Sequence, residues 1–111
     1  MSLFKFQWVD GRRKSGYQKM KIFWSERFRF DLYLLRFNPG SYISSHVDPV
    51  VDGRHYRLNI YLKKAKIGGE FRHGQVIFKN RFMTFFRPDV SFHSVTEVVE
   101  GTRYVLSRWI S

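Results

Sequence analysis

The chain has no cysteine in its 111 residues. Disulfide frameworks, zinc knuckles, iron–sulfur clusters and thiol catalysis are therefore excluded, and any metal must be held by His, Asp and Glu. It also lacks a run of about eighteen apolar residues, the length a membrane-spanning helix needs. The opening stretch MSLFKFQWVDGRRKSG has no apolar core of the kind a secretory signal carries. These absences lead to the expectation of a cytoplasmic protein without a membrane anchor. Acidic side chains are scarce: nine Asp and Glu face twenty Lys and Arg, for a formal charge of +11. Such an excess favours polyanionic partners without specifying one. Residues 1–30 carry eight of the basic groups and two of the acidic ones. This divides the chain into a basic supporting segment, 1–30, and a core, 31–111, within a single domain.

No long amphipathic helix stripe is present either. Aromatic residues make up 19% of the chain, with twelve Phe, and the apolar residues fall in short runs separated by turn signals. That pattern predicts an all-β domain. Leu3 to Val9 alternates, and Asp10-Gly11 opens a basic turn from which Tyr17 to Trp24 returns as a hairpin partner; Ser25-Glu26-Arg27 offers a cap for one helical turn. From Leu32 onward eight strands are predicted, over 32–37, 42–48, 56–62, 70–71, 75–78, 82–86, 92–98 and 102–110. Turns such as Asn38-Pro39-Gly40 and Gly68-Gly69 separate them. Eight short strands with regular turns suggest two facing sheets, a jelly roll.

The chemistry-bearing pattern is His46-Val47-Asp48. An imidazole and a carboxylate two residues apart on an extended strand share one face. His93 on a distant strand completes a 2-His-1-carboxylate set with open coordination positions, the donor set of non-haem Fe(II) oxygenases, although manganese accepts it too. Arg103 follows His93 by ten residues, across the Glu100-Gly101 turn. A planar bidentate cation at that position suits the far carboxylate of a 2-oxo diacid chelated to the metal. His55 and His73 sit near turns and are expected to be exposed. Glu70 after Gly68-Gly69 is a possible cupin-type carboxylate, but a cupin reading leaves Arg103 unexplained.

With these residues in order, the chain resembles the iron(II)- and 2-oxoglutarate-dependent dioxygenases, in their prolyl-hydroxylase-like branch. Further pieces agree: Asn38-Pro39-Gly40-Ser41-Tyr42 before the metal strand, Arg57-Leu58-Asn59-Ile60-Tyr61-Leu62 as the next long strand, Gly68-Gly69-Glu70-Phe71, Phe85-Phe86-Arg87-Pro88 before the second histidine, and Gly101-Thr102-Arg103-Tyr104 leading to Trp109. The likeness covers roughly residues 32 to 110. It implies a double-stranded β-helix of about eight strands, with a short N-terminal hairpin or helical turn, and Fe(II) held by His46, Asp48 and His93. It further implies 2-oxoglutarate anchored by Arg103 and Tyr61, with Ser107 and Trp109 lining the inner cavity and O2 as co-substrate. Two departures stand out. Phe37 replaces a tyrosine common in relatives, and the long N-terminal helices that back the larger sheet in relatives have little counterpart here, which suggests a minimal catalytic core.

The resemblance favours hydroxylation of a protein or peptide side chain such as proline, by a monomer or homodimer. The charge keeps two alternatives open: oxidation of a nucleic-acid base or its methyl group by the same chemistry, and a non-enzymatic basic β module that binds nucleic acid.

Overall fold

The computed structural model describes residues 7–10, 16–50 and 53–110. Twelve strands succeed one another: β1 (Val9–Asp10), β2 (Gln18–Ser25), β3 (Phe30–Phe37), β4 (Ile43–His46), β5 (Tyr56–Lys63), β6 (Ile67–Gly68), β7 (Phe71–His73), β8 (Phe78–Lys79), β9 (Met83–Phe86), β10 (His93–Val95), β11 (Val98–Glu100) and β12 (Arg103–Ile110). No α-helix occurs among the described residues. The strands form a seven-stranded sheet in the order β1-β2-β3-β12-β5-β9-β8, a three-stranded sheet β4-β10-β7 and a two-stranded ladder β11-β6.

Period-two alternation sets the register. On β3, Tyr33, Leu35 and Phe37 point inward; on β12, Arg103, Val105 and Ser107 do the same. They pair as Arg103↔Phe37, Val105↔Leu35 and Ser107↔Tyr33, so each inward side chain meets an inward neighbour. A slip of one residue would turn the whole set outward, which is why the register is well specified. Tyr17, Tyr33, Leu35, Phe37, Val95, Val98 and Val105 form the core between the sheets. Complete burial of Phe37, Phe86, Val98 and Val105 stabilises the fold by roughly 1.5–3 kcal/mol for each side chain.

The expected all-β jelly roll is thus present, as a double-stranded β-helix, with local differences. The strand expected over 92–98 is two strands, because the chain changes sheet at Thr96-Glu97. There Thr96 N–H donates to the Glu70 carbonyl at 2.9 Å and Val98 N–H to that of Ser41 at 2.9 Å. β4 ends at His46, so Asp48 lies beyond the strand rather than on it; its N–H donates to the Pro88 carbonyl at 2.7 Å, which fixes it all the same. Ser25-Glu26-Arg27 forms a hairpin turn, not a helical one. Ser25 Oγ accepts the Phe28 N–H at 3.2 Å and Arg29 adopts φ 55°. Of the strand expected over Leu3 to Val9, residues 3–6 lie outside the described residues, as does the basic turn at 11–15. β2 joins the edge of β3 and widens the large sheet sideways.

Gly68-Gly69 positions the site by bringing β6 against β11 and leading into β7. Both glycines have positive φ, 79° and 66°. A Cβ on Gly68 would overlap the Glu97 carbonyl oxygen, and one on Gly69 would stand 2.8 Å from Val98 Cγ2 and 3.4 Å from Arg103 Cδ. Gly68→Ala therefore combines left-handed backbone strain with a backbone clash, and should destabilise the protein by about 3 kcal/mol or more. Urea denaturation measures this; a loss below about 1 kcal/mol would show that the turn relaxes freely.

A candidate metal centre

β10 is the middle strand of the three-stranded sheet, and His93 on it lies opposite His46 of β4 on one side and His73 of β7 on the other. Aligned antiparallel partners project to the same side of a sheet, so three imidazoles stand in a row across it. The register of β10 on β4 shifts between His93 and Val95, an irregularity typical of strands that re-aim a side chain at a site. The His46 and His93 rings come within 4.3 Å, centroid to centroid, at 53°.

Each ring is held by a carbonyl of its own segment. His46 Nδ1 lies 2.6 Å from the Ser44 carbonyl, and His93 Nδ1 3.0 Å from that of Ser91. A carbonyl can only accept, so both Nδ1 atoms carry the proton and Nε2 becomes the acceptor atom of each ring. The two Nε2 atoms converge on Asp48: His46 Nε2 is 3.3 Å from Oδ1 and His93 Nε2 3.4 Å from Oδ2. One ligand atom from each residue falls within 4.8 Å of the others.

The donor set fits a divalent cation on two counts. His93 is buried, yet its Nε2 has no hydrogen-bond partner among the described residues. A buried acceptor left in that condition is costly unless something occupies it. The two oriented imidazoles and the carboxylate are also the ligand types that non-haem Fe(II) takes. Burial by itself would raise the Asp48 pKa, but the facing His93 ring, the Arg57 guanidinium and His46 outweigh it and hold the carboxyl well below the usual carboxylate range. Asp48 therefore contributes stability that is fully present above its ordinary pKa and lost as pH falls through the depressed value.

Arg57 is a residue that sequence reasoning passed over. It reaches Asp48 Oδ2 at 3.5 Å while its guanidinium lies over the Trp109 ring, 4.1 Å from the centroid. The signal was available in the alternation of Arg57, Asn59 and Tyr61 on one face of β5. His73 was also missed: it was expected to be exposed, but it is half-buried beside His93. His55 is likewise half-buried, edge-on to Trp109 at 6.0 Å. Glu70 is exposed, lies 3.3 Å from Arg72 and takes no part in the cluster.

Arg103 is buried, with its guanidinium 4.6 Å from the Phe37 ring centroid and 5.6 Å from that of Tyr61. Phe37 thus offers the guanidinium a ring face. Burial lowers the Arg103 pKa to about 10, and no carboxylate pairs with it among the described residues. Arg103 and His93 line a common cavity of about 30 Å³ together with Phe71 and Asn59. Tyr61 packs beside Arg103, its hydroxyl bonded to Thr84 Oγ1. Ser107 and Trp109 point the same way, but they are linked to each other and to Asn59: Trp109 Nε1–H donates to Ser107 Oγ at 2.8 Å, and Ser107 donates to Asn59 Oδ1 at 2.6 Å. Neither lines the cavity at Arg103.

A family model described as the 2OG-Fe(II) oxygenase superfamily matches residues 32–111. Among solved structures, a viral collagen prolyl hydroxylase, vCPH, from Paramecium Bursaria Chlorella virus-1 in its 2OG complex is similar at 19% identity and a TM-score of 0.65, over 86% of this chain and 79% of that one. KdgF from Halomonas sp. is similar at 17% identity and a TM-score of 0.59, over 94% and 84%. At these identities the two structures speak to the fold alone. No curated protein matched in sequence.

Metal binding should be visible as thermal stabilisation, since a ligand that binds only the folded state raises the melting temperature. Redox-inert Mn(II) should raise it in the wild type and leave Asp48→Asn unmoved. The rise should weaken toward acid, because protons compete with the metal for its ligands. An undiminished rise in the variant would remove Asp48 from the ligand set.

Proposed function

Because the chain belongs to the 2OG-Fe(II) oxygenase superfamily, we propose that it hydroxylates a side chain of a protein or peptide, proline being the leading candidate. His46, Asp48 and His93 would hold Fe(II), and Arg103, with Tyr61 beside it, the far carboxylate of 2-oxoglutarate. The observation that carries this reading is a small cavity lined by both His93, whose Nε2 has no hydrogen-bond partner among the described residues, and Arg103, a buried cation with no carboxylate partner among them. A molecule with a chelating head and an anionic tail meets both needs.

Oxygenases of this superfamily use Fe(II) and 2-oxoglutarate. When bound, the pair turns a substrate C–H bond into C–OH, with one atom of O2 in the new hydroxyl, the other in succinate, and carbon dioxide released. This chain's own residues do the positioning. The Ser44 and Ser91 carbonyls hold the two rings, Arg57 keeps Asp48 ionised and in place, and Leu35, Phe37 and Val105 form a dry wall. About 30 Å³ accommodates only about two waters, so a five-carbon diacid would extend into a second cavity of about 520 Å³, which Arg103 and Tyr61 also line. Phe71, half-buried with its ring 6.4 Å from that of His93, lines both. The peptide substrate class is supported by the fold shared with a protein named as a collagen prolyl hydroxylase.

The test is to incubate the Fe(II)-loaded protein with 2-oxoglutarate, O2 and a pool of proline-containing peptides. Succinate and peptide oxygenation are then measured together by mass spectrometry. The expected result is succinate in step with peptides heavier by one oxygen atom, both abolished by His93→Ala. Succinate formation that persists in His93→Ala, or oxygen incorporated into nucleic acid and not into peptide, would overturn the reading.

A further inference from the structure

The larger cavity, about 520 Å³, shares Phe71 and Arg103 with the small one and is lined by Tyr61 as well. Its rim is cationic: Lys63 ends β5, Lys64 and Lys66 come from the β5–β6 connection, Lys79 from β8 and Arg81 from the β8–β9 turn, all of them exposed. Lys66 is 3.2 Å from Glu100, but Lys63, Lys64, Lys79 and Arg81 make no ion pair among the described residues. Among the described residues the single acid on the lining, Glu70, is turned to Arg72. Four uncompensated cations around one concavity concentrate a positive potential there and attract anions.

The cavity also lies between two open sheet edges. β7 is the last strand of the three-stranded sheet and β8 the last strand of the seven-stranded one, so each presents backbone donors and acceptors that an added strand can use. His73 on β7 lines the cavity and stands directly opposite His93, one interstrand spacing of about 5 Å from a proposed metal ligand. A chain laid along the free edge of β7 therefore runs about 10 Å, two interstrand spacings, from β10 and its His93, with its side chains alternating toward the cavity rim.

We infer that the rim of this cavity, above the Arg103 and Tyr61 given to 2-oxoglutarate, is the docking site of an extended acidic peptide segment that pairs with the β7 edge and sets its carboxylates among Lys63, Lys64, Lys79 and Arg81. As the identification of a substrate segment, this rests on the peptide-hydroxylase reading above. A peptide fits better than a nucleic-acid strand because the cations converge from two connections on one pocket instead of following a track along a backbone. Main-chain pairing to a strand edge is likewise a mode of peptide recognition. A second copy of the chain is disfavoured by its +11 charge.

The test uses fluorescence anisotropy with a fluorescein-labelled peptide of alternating Glu and Ala around a central Pro, its Gln-for-Glu counterpart, and an oligothymidylate of similar length. Succinate formation from 2-oxoglutarate is measured on the same preparations. The acidic peptide should bind more tightly than the Gln peptide, and Lys79→Glu combined with Arg81→Glu should weaken it by about tenfold. Both substitutions lie on exposed positions and should leave the fold intact. Equal affinity for the Glu and Gln peptides, tighter binding of the oligothymidylate, or concentration-dependent self-association that blocks the peptide would each overturn the inference. With succinate still formed, such a failure leaves the oxygenase reading standing. Charge-dependent peptide binding without succinate would instead support the docking site and overturn the oxygenase reading.

Discussion

The orientation of two imidazoles by their own backbone is the constraint on which the rest of the site depends. His46 and His93 each give the Nδ1 proton to the carbonyl two residues earlier, so neither ring can rotate or change tautomer without losing that bond. Both Nε2 atoms are thereby turned toward Asp48, which the sequence places two residues after His46 but the structure fixes through the Pro88 carbonyl. The β4-β10-β7 sheet is the means of bringing these groups together. It requires β10 to be paired on both sides, and the change of sheet after Val95 lets the same chain then supply β11 and β12.

Arg103 shows the opposite economy. A guanidinium buried between Phe37 and Tyr61, with its pKa lowered to about 10, opposes folding at neutral pH. Its charge is retained there at a desolvation cost, and that cost fades only as pH rises through about 10. The two ring faces offset part of it. Cations in such positions destabilise the free protein and become favourable when a carboxylate arrives, the usual relation between a functional charge and stability. The exposed lysines around the outer cavity carry no such penalty, since water solvates them until an anion approaches.

The fold class was legible in the sequence because the apolar residues fall in short runs separated by turn signals, and because turns at Asn38-Pro39-Gly40 and Gly68-Gly69 carry residues suited to positive φ. His46, Asp48 and His93 were legible for a different reason: their residue types and order are sparse in a chain with four histidines. Two kinds of information were not. The switch of sheet at Thr96-Glu97 depends on hydrogen bonds to Glu70 and Ser41, residues far away in sequence. The placement of His73 beside His93 depends on a register between two three-residue strands, too short for periodicity to reveal.

The most direct test of the account is an anaerobic titration of 2-oxoglutarate into the Fe(II)-loaded protein, followed through the weak visible charge-transfer band of a chelated 2-oxo acid, with Arg103→Met alongside. The account predicts a saturable band in the wild type. In the variant the band should require about tenfold more 2-oxoglutarate or higher, equivalent to about 1.4 kcal/mol or more for the lost charge-assisted pair, with the melting temperature of the metal-free variant equal to or above that of the wild type. A band of unchanged midpoint in Arg103→Met, or no band in a folded, iron-loaded wild type, would contradict it.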